Sequence, residues 1–133
     1  KSWTKKSMVK MLSKMTDFFS TGMLISMALF TCGHVLAWYT HNSQFVWDFW
    51  KNRPLLANIV FGVPCGLFFW HGTKYCVAAT DMLWTSRFVA FSLSYVTFPI
   101  MTWWYLGESM FTTKTLICTM LAFMIVIVQV TVD

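Results

Sequence analysis

Four charged or titratable side chains stand inside or beside apolar sequence, where they could do chemistry. His34 and His71 lie within long apolar stretches, Arg87 near the start of a third stretch, and Glu108 just after that stretch. An imidazole titrates near physiological pH and could carry a proton, and a guanidinium in surroundings of low dielectric could attract an anion. Each group also has a structural interpretation, the histidines as hydrogen-bonded packing residues and Arg87 as an anchor that reaches toward water.

Two of the prolines fall inside apolar stretches, where they would interrupt a helix. Pro64 and Pro99 each lack a backbone donor and free the carbonyl four residues earlier, at Val60 and Tyr95. Neighbouring helices or hydroxyl groups must then satisfy these carbonyls, and such carbonyls can also line a substrate path. The alternative is a packing or kinking role, since the G-x-x-x-G spacing over residues 62–66 permits close helix approach.

The elements that must position these residues are four apolar stretches, at about 18–39, 55–76, 82–106 and 115–132. A bilayer core about 30 Å thick is crossed by roughly 20 apolar residues in a helix, and each stretch supplies about that number. Only 11% of the residues are charged, against roughly 25% in soluble domains. We therefore predict an all-α fold, a four-helix transmembrane bundle that forms a single integral membrane domain over residues 1–133. No polar segment remains for an ordinary soluble active site.

The segment before the first stretch, residues 1–17, has a basic and amphipathic pattern. Half of the ten basic residues of the chain stand there, at Lys1, Lys5, Lys6, Lys10 and Lys14. Apolar residues recur between them at roughly helical spacing and continue into the stretch, at Trp3, Met8, Met11, Leu12, Met15 and Phe18. The pattern predicts a short amphipathic helix at the membrane interface, where its lysines contact anionic membrane lipids and not nucleic acid. The following apolar run is as long as a full span and has no small-residue cleavage pattern, so we expect it to be retained and not removed as a signal peptide.

Basic and aromatic residues near the span ends predict the orientation. With four spans, seven basic residues fall on the side of the N-terminus and three on the opposite side, so both termini should be cytoplasmic. Aromatic residues with polar edges gather on the opposite side, at Trp38, Tyr39, Trp47, Trp50, Trp103, Trp104 and Tyr105. We therefore expect a multi-pass protein of an inner or plasma membrane.

The acidic residues all lie away from the centre of the predicted spans. They stand at span ends, in connections or at the terminus, at Asp17, Asp48, Asp81, Glu108 and Asp133. A charge at the centre of a bilayer costs about 2.5 to 3.5 kcal/mol even on a lenient scale, and it is a functional suspect where it occurs. The lack of one argues against a proton relay through carboxylates.

Neither a metal site nor an enzyme active site is expected. The four cysteines fall in predicted spans without C-x-x-C spacing or a nearby histidine partner, which is typical of small packing residues. They are Cys32, Cys65, Cys76 and Cys118. The two span histidines differ in predicted depth by about 15 Å, too far to share a haem or a metal ion. No nucleophile and base stand at plausible spacing, and the hydroxyls at residues 92, 94 and 97 are better explained as helix-packing or backbone-bonding groups. We predict no cofactor.

Three short motifs, together with the order of the spans, resemble a known family. They are Ala37-Trp38-Tyr39-Thr40-His41, Asn52-Arg53-Pro54 and Tyr105-Leu106-Gly107-Glu108, the last of them before an apolar final helix. This combination resembles the small four-helix branch of the drug/metabolite transporter superfamily over most of residues 18–132. The resemblance is closer to uncharacterised four-helix members than to the small multidrug resistance exporters. It implies a transporter, and because four helices are few for a complete pathway we expect a homo-oligomer, most simply a dimer.

Two departures separate the chain from those exporters. The exporters carry an essential glutamate in the first span, whereas the stretch 18–39 has no acidic residue, so their drug/proton exchange is not expected here. The exporters' last helix dimerises through glycines, whereas the stretch 115–132 has none and offers only Cys118 and Ala122 as a small pair. The basic bias also argues against insertion in both orientations, which an antiparallel dimer needs.

Two functions follow as hypotheses. The first is a small transporter or facilitator, a homo-oligomer in which the second and third spans border a polar route for a small metabolite or ion. The residues assigned to the substrate site are Pro64, His71, Arg87 and Pro99, with His34 and Glu108 as further candidates. The alternative is a non-transporting accessory subunit or lipid-interacting scaffold, which the missing carboxylate and the basic tail favour.

Overall fold

The computed structural model describes the backbone of residues 2–132 and the side chains of residues 5–132 as an all-α protein, without a strand in that range. Its five long helices are α1 (Ser2–Phe18), α2 (Thr21–Val46), α3 (Pro54–Thr80), α4 (Leu83–Leu106) and α5 (Thr113–Thr131). A 3₁₀ turn, Asp48–Trp50, connects α2 and α3. The expectations for Lys1, for the side chain of Trp3 and for Asp133 lie outside the described residues.

A serine separates the tail from the first membrane-length helix. Ser20 is extended, and its hydroxyl accepts a hydrogen bond from the Met23 backbone N–H at 3.3 Å, which caps α2. The helix predicted for the tail is therefore present as α1 and ends at Phe18. α2 continues to Val46, seven residues beyond the predicted end of the span, until Trp47 adopts an extended backbone.

Three helices, α2, α3 and α5, are both long enough and apolar enough to cross a membrane. α4 has 24 residues, which is sufficient length, but it is not among the three. The reason lies in its composition, because α4 mixes serines, threonines, tryptophans and Arg87 with its apolar residues. The structure thus supports a membrane protein with three clear candidate spans.

The two internal prolines have different consequences. α3 contains a π-helical segment, Asn58–Gly62, which ends two residues before Pro64, so the loosened turn predicted there is present. α4 runs without a break through Pro99. The carbonyl of Tyr95, which Pro99 cannot bond, instead lies 3.4 Å from the Thr119 hydroxyl of α5. That hydroxyl has a single hydrogen and lies closer to a backbone carbonyl of its own helix, at 2.9 Å, so the predicted rescue by a neighbouring hydroxyl is present only as a long, shared contact.

α2 occupies the centre of the helix packing, since it contacts both α3 and α4. α4 in turn contacts α3 and α5, and α1 lies against α5. The buried apolar core joins α2, α3 and α4 through Met23, Phe30, Cys76 and Val89. The long helices are therefore connected to one another chiefly through α2 and α4.

Two glycines allow the aromatic rings of neighbouring helices to approach the backbone. A Cβ at Gly72 would lie 2.7 Å from the Phe30 ring, and one at Gly33 would lie 3.0 Å from the Phe69 ring. By contrast, a Cβ at Gly66 would meet nothing within 4 Å. The close approach predicted from the G-x-x-x-G spacing is therefore wrong for Gly66, because that glycine faces away from the neighbouring helices.

Serine hydroxyl groups on one helix donate hydrogen bonds to backbone carbonyls of a neighbouring helix. Ser26 of α2 donates to the Gly72 carbonyl of α3, and Ser92 of α4 donates to the Ala122 carbonyl of α5, both at 2.7 Å. Such bonds are typical of helix association in lipid, where burial of apolar groups gives little driving force. The predicted packing role of Ser92 is confirmed, and Ala122 serves a contact within the chain.

Candidate functional site

A cavity of about 650 Å³ opens between α2, α3 and α4, beside the short connection from α3 to α4. We call it the proximal cavity. Its lining residues are Phe30, His34, Phe69, Thr73, Leu83, Trp84, Ser86, Arg87, Ala90, Phe91 and Ser94. A water molecule takes about 30 Å³ in the liquid, so this volume suits an organic molecule better than a single ion.

The sequence of α4 explains how it supplies one wall of the proximal cavity. Arg87, Ala90, Phe91 and Ser94 are spaced by three and four residues, so they share one face of the helix. The connection that brings α4 back against α3 is short because Asp81 adopts the left-handed conformation, with φ 56°. Aspartate tolerates that conformation better than most residues. The sharp return keeps the start of α4 beside the end of α3.

His34 reaches across from α2 to the backbone of α4. Its Nε2 atom lies 2.6 Å from the Ala90 carbonyl oxygen. Because a carbonyl oxygen only accepts, Nε2 must carry the hydrogen, and in the neutral ring Nδ1 is then an acceptor. The ring also meets Phe69 edge to face, with centroids 4.8 Å apart. His34 is thus a hydrogen-bonded residue that joins two helices and at the same time lines the cavity.

Of the side chains that the structure describes, Arg87 is the one cationic group that lines the proximal cavity. It is exposed, as are its neighbours Leu83 and Trp84, whereas Phe30 at the other side of the cavity is buried. The charge therefore stands at the rim near the α3–α4 connection. Phenylalanine and tryptophan rings from three helices contribute four of the other ten lining residues.

A second cavity, of about 430 Å³, lies between α4 and α5 toward the α4–α5 connection, and we call it the distal cavity. Its lining residues are Phe91, Ser94, Tyr95, Phe98, Pro99, Lys114, Thr115 and Cys118. Phe91 and Ser94 line both cavities. The two cavities therefore meet at one turn of α4, with Arg87 in the first and Lys114 in the second.

The residues that the sequence assigned to one site are divided among several places. Two of them, His34 and Arg87, line the proximal cavity, and Pro99 lines the distal cavity. The other three, Pro64, His71 and Glu108, line neither. His71 is exposed and its ring meets Trp70 at 4.9 Å, while Glu108 is exposed in the α4–α5 connection. The phenylalanines and Ser94 were not predicted as site residues, although the helical spacing of Arg87, Phe91 and Ser94 could have indicated a shared face.

Aromatic side chains close the opposite end of α2 and α4. We call Trp38, Tyr39, Trp47 and Tyr105 the aromatic cluster. The Tyr39 and Tyr105 hydroxyls are 2.7 Å apart, and the Trp38 ring stacks on Tyr105 with centroids 5.2 Å apart. Trp38 also donates from Nε1 to the Thr102 hydroxyl at 3.0 Å. The sequence-based grouping of these residues at one end is reflected in direct contacts.

Among the described residues, no group of three His, Cys, Asp or Glu side chains could hold a metal ion. The four cysteines are all free, with Cys76 buried and Cys32 and Cys118 exposed. No known protein family, curated protein or solved structure matches the chain. The functional argument therefore depends on the geometry of the two cavities.

Proposed function

We propose that the chain is a multi-pass integral membrane protein in which α2, α3, α4 and α5 all cross the bilayer, with both termini cytoplasmic. The less apolar α4 is included because its polar side chains face its neighbours. Ser86, Ser92, Thr97 and Thr102 are all buried, so few of its hydroxyls would meet lipid. At 1.5 Å per residue, its 24 residues reach about 36 Å, which exceeds a core of about 30 Å.

We infer that this protein is a small transporter or facilitator of an organic solute. The observation that carries the proposal is that the proximal and distal cavities share Phe91 and Ser94. A solute could occupy either cavity, and a small displacement at this turn of α4 would connect the two. The resemblance to four-helix drug/metabolite transporters agrees with this function, and the revised site consists of His34, Arg87 and Ser94.

A second copy of the chain belongs to the proposal. Phe91 is 42% exposed, so both cavities open toward the surface of the protein along this side of α4. Four membrane-length helices leave that side without a wall, and a homodimer would supply one. Cross-linking of single-cysteine variants in native membranes, with cysteine introduced at Phe98, tests this arrangement. A protein that remains monomeric in lipid would contradict it.

The test of transport is flux into liposomes that contain the purified protein. Ser94→Trp places a large ring at the wall common to both cavities, and we expect it to abolish the flux of any solute that the unaltered protein carries. Ser94 donates only to the Phe91 carbonyl of its own helix, at 2.6 Å, so its loss costs little stability. Met120→Trp is the matched control, because Met120 is 68% exposed on α5 and lines neither cavity. Absence of flux for every solute of a broad panel would overturn the proposal.

The alternative function, a lipid-interacting scaffold or accessory subunit, is favoured by α1. Met8, Met11 and Leu12 lie on one side of α1 and remain exposed, while Lys6 and Lys10 lie on the other side. A helix with that pattern binds anionic membrane surfaces. The scaffold function predicts that the protein clusters anionic lipids without passing solute, and that lysine-to-glutamine changes in α1 abolish the clustering.

A further inference from the structure

We propose that the proximal cavity binds an anionic amphiphile, with a carboxylate or phosphate head at Arg87 and an apolar tail that extends toward Phe30 and Phe91. This inference rests on the proposed function, because it names the chemical class that the proximal cavity would admit. Three observations support it: the length of the cavity, the position of its charge, and the hydrogen bonds that its deep polar groups already make within the protein.

The length of the proximal cavity matches one leaflet of a bilayer. Along α4 it is lined from Leu83 to Ser94, and eleven steps of 1.5 Å give about 16 Å. A hydrocarbon core about 30 Å thick leaves about 15 Å for each leaflet. An amphiphile in one leaflet has its head at the membrane surface and the end of its tail near the midplane. The cavity has the same arrangement, with Arg87 at its rim and aromatic rings deeper in.

The charges near the rim favour an anion. Arg87 lines the proximal cavity, and Lys74 stands beside an adjoining groove that shares Phe69 and Thr73 with it. The Lys74 ammonium lies over the Trp70 ring at 5.7 Å. On the connection itself, Asp81 contributes one exposed carboxylate, so the two cations outnumber it. At the border of a medium of low dielectric their attraction for an anionic head is stronger than in water.

The deep end of the cavity offers little to a polar solute. The Nε2–H group of His34 is already bonded to the Ala90 carbonyl, and the Ser94 hydroxyl to the Phe91 carbonyl. The remaining deep wall is formed by the rings of Phe30, Phe69 and Phe91. Nδ1 of His34 can still accept one hydrogen bond, but a sugar or an amino acid would leave its other polar groups without partners there, which disfavours its binding. An aliphatic or aromatic tail loses nothing by entering.

Two sources could supply this chemistry, a phospholipid of the surrounding leaflet or a free fatty acid, and tryptophan quenching can separate them. Trp84 lines the cavity one turn from Arg87, on the rim side, and is 67% exposed, so a chain that is brominated next to its head group would quench its fluorescence when the head lies at Arg87. The full chain in nanodiscs is titrated with a brominated fatty acid and with its methyl ester. A parallel pair uses nanodiscs that contain brominated phosphatidylglycerol or brominated phosphatidylcholine. Trp84→Phe identifies the part of the quenching that belongs to Trp84, and the part of it that Arg87→Gln removes is the part that depends on the cavity.

The expected result is stronger Trp84 quenching by an anionic probe than by its neutral partner, by about tenfold in apparent affinity, as a charge-assisted hydrogen bond would give. Arg87→Gln should remove this preference, and Arg87→Lys should restore part of it. Lys51→Gln is the matched control, because Lys51 is exposed after the 3₁₀ turn and lines neither cavity, and the preference should remain. A preference limited to the fatty acid or to the phospholipid supports the proposal and identifies the source.

Equal quenching by anionic and neutral probes, or an unchanged preference in Arg87→Gln, would overturn the proposal. Its failure is distinguishable from failure of the proposed transport, because binding is measured at equilibrium without flux. A protein that prefers anionic probes but passes no solute contradicts transport alone. A protein that passes a solute without this preference contradicts the ligand class alone.

Discussion

At one end of α2 and α4, the rings of Trp38 and Tyr105 stack between the two helices, whereas toward the other end the same helices, together with α3, border the open proximal cavity. In the aromatic cluster, polar atoms bond to one another, as in the Trp38–Thr102 and Tyr39–Tyr105 pairs. In the proximal cavity, His34 and Ser94 bond to backbone carbonyls and leave a volume of about 650 Å³ unfilled.

The difference shows how one helix pair can combine a rigid contact with a binding site. Side chain to side chain bonds and ring stacking hold α2 and α4 at a defined distance at the aromatic cluster. The cavity end can then stay open without separating the helices, because His34 still joins α2 to the Ala90 carbonyl of α4. We therefore expect substitutions at the aromatic cluster to change stability, and substitutions at the cavity rim to change binding.

The largest expected effect is on the free energy of unfolding, when a tryptophan from each of the two ends is replaced by alanine. Trp38→Ala removes a side chain that is 2% exposed, together with its bond to Thr102 and its stacking on Tyr105. We expect it to lower the free energy of unfolding in detergent by about 3 kcal/mol, the lower end of the range for buried Trp. Trp84→Ala at the cavity rim should cost about 0.5 kcal/mol or less. Equal losses from both changes would contradict the assignment of the rigid contact to the aromatic cluster.

A smaller effect is expected from two glycines of α3. A Cβ at Gly72 would lie 2.7 Å from the ring of Phe30, a wall of the proximal cavity, so Gly72→Ala should cost about 1 to 3 kcal/mol. Gly66→Ala is the control, since a Cβ at Gly66 would meet nothing within 4 Å, and it should stabilise the helix by about 0.4 to 1 kcal/mol. Thermal unfolding in detergent measures both changes. A neutral Gly72→Ala would mean that Phe30 can move into the cavity without loss.

The smallest effect concerns single hydroxyl groups at the two ends. Tyr39→Phe removes the hydroxyl pair with Tyr105 and should cost about 1 kcal/mol. Because either change breaks the same bond, the double variant with Tyr105→Phe should cost little more than one of them. Ser94→Ala at the cavity end loses only a bond within its own helix and should cost less. Chemical unfolding of the four variants checks the order, and additive losses from the two tyrosines would contradict a shared bond.

Much of the helical architecture could be predicted from the sequence. Three of the four predicted stretches correspond to α2, α3 and α5, whose length and hydropathy suffice to cross a membrane. The fourth corresponds to α4, which is long enough but is not among the helices with sufficient hydropathy. The carbonyl freed by Pro99 does lie near a hydroxyl of the next helix, that of Thr119, although the contact is long at 3.4 Å. Gly107 ends α4 with φ 70°, a left-handed conformation that glycine adopts without strain. Helix length and helix ends depend on residues that are close in the chain. The carbonyl freed by Pro99 needs a hydrogen-bond donor, and any neighbouring helix with a hydroxyl group could supply one.

The candidate site was predicted only in part. His34 and Arg87 were both named, but the sequence placed Arg87 beside His71, whereas the structure places it with His34 in the proximal cavity. Along the chain, the rest of α2, the whole of α3 and the start of α4 lie between His34 and Arg87. Their meeting depends on how far each helix is rotated about its axis, and a displacement of one residue along a helix turns a side chain by about 100°.

The sequence by itself determined where four long apolar stretches lie and that no carboxylate stands near the centre of a predicted span. Three of the four form helices that are both long and apolar enough to span a membrane. Those properties follow from local composition, since the number of apolar residues in a row sets the length of a possible span. Only the tertiary structure decided that Gly33 and Gly72 receive aromatic rings and that Phe91 and Ser94 separate two cavities. Helix rotation and register are set by the fit of side chains from several helices at once, and no single stretch of sequence contains that information.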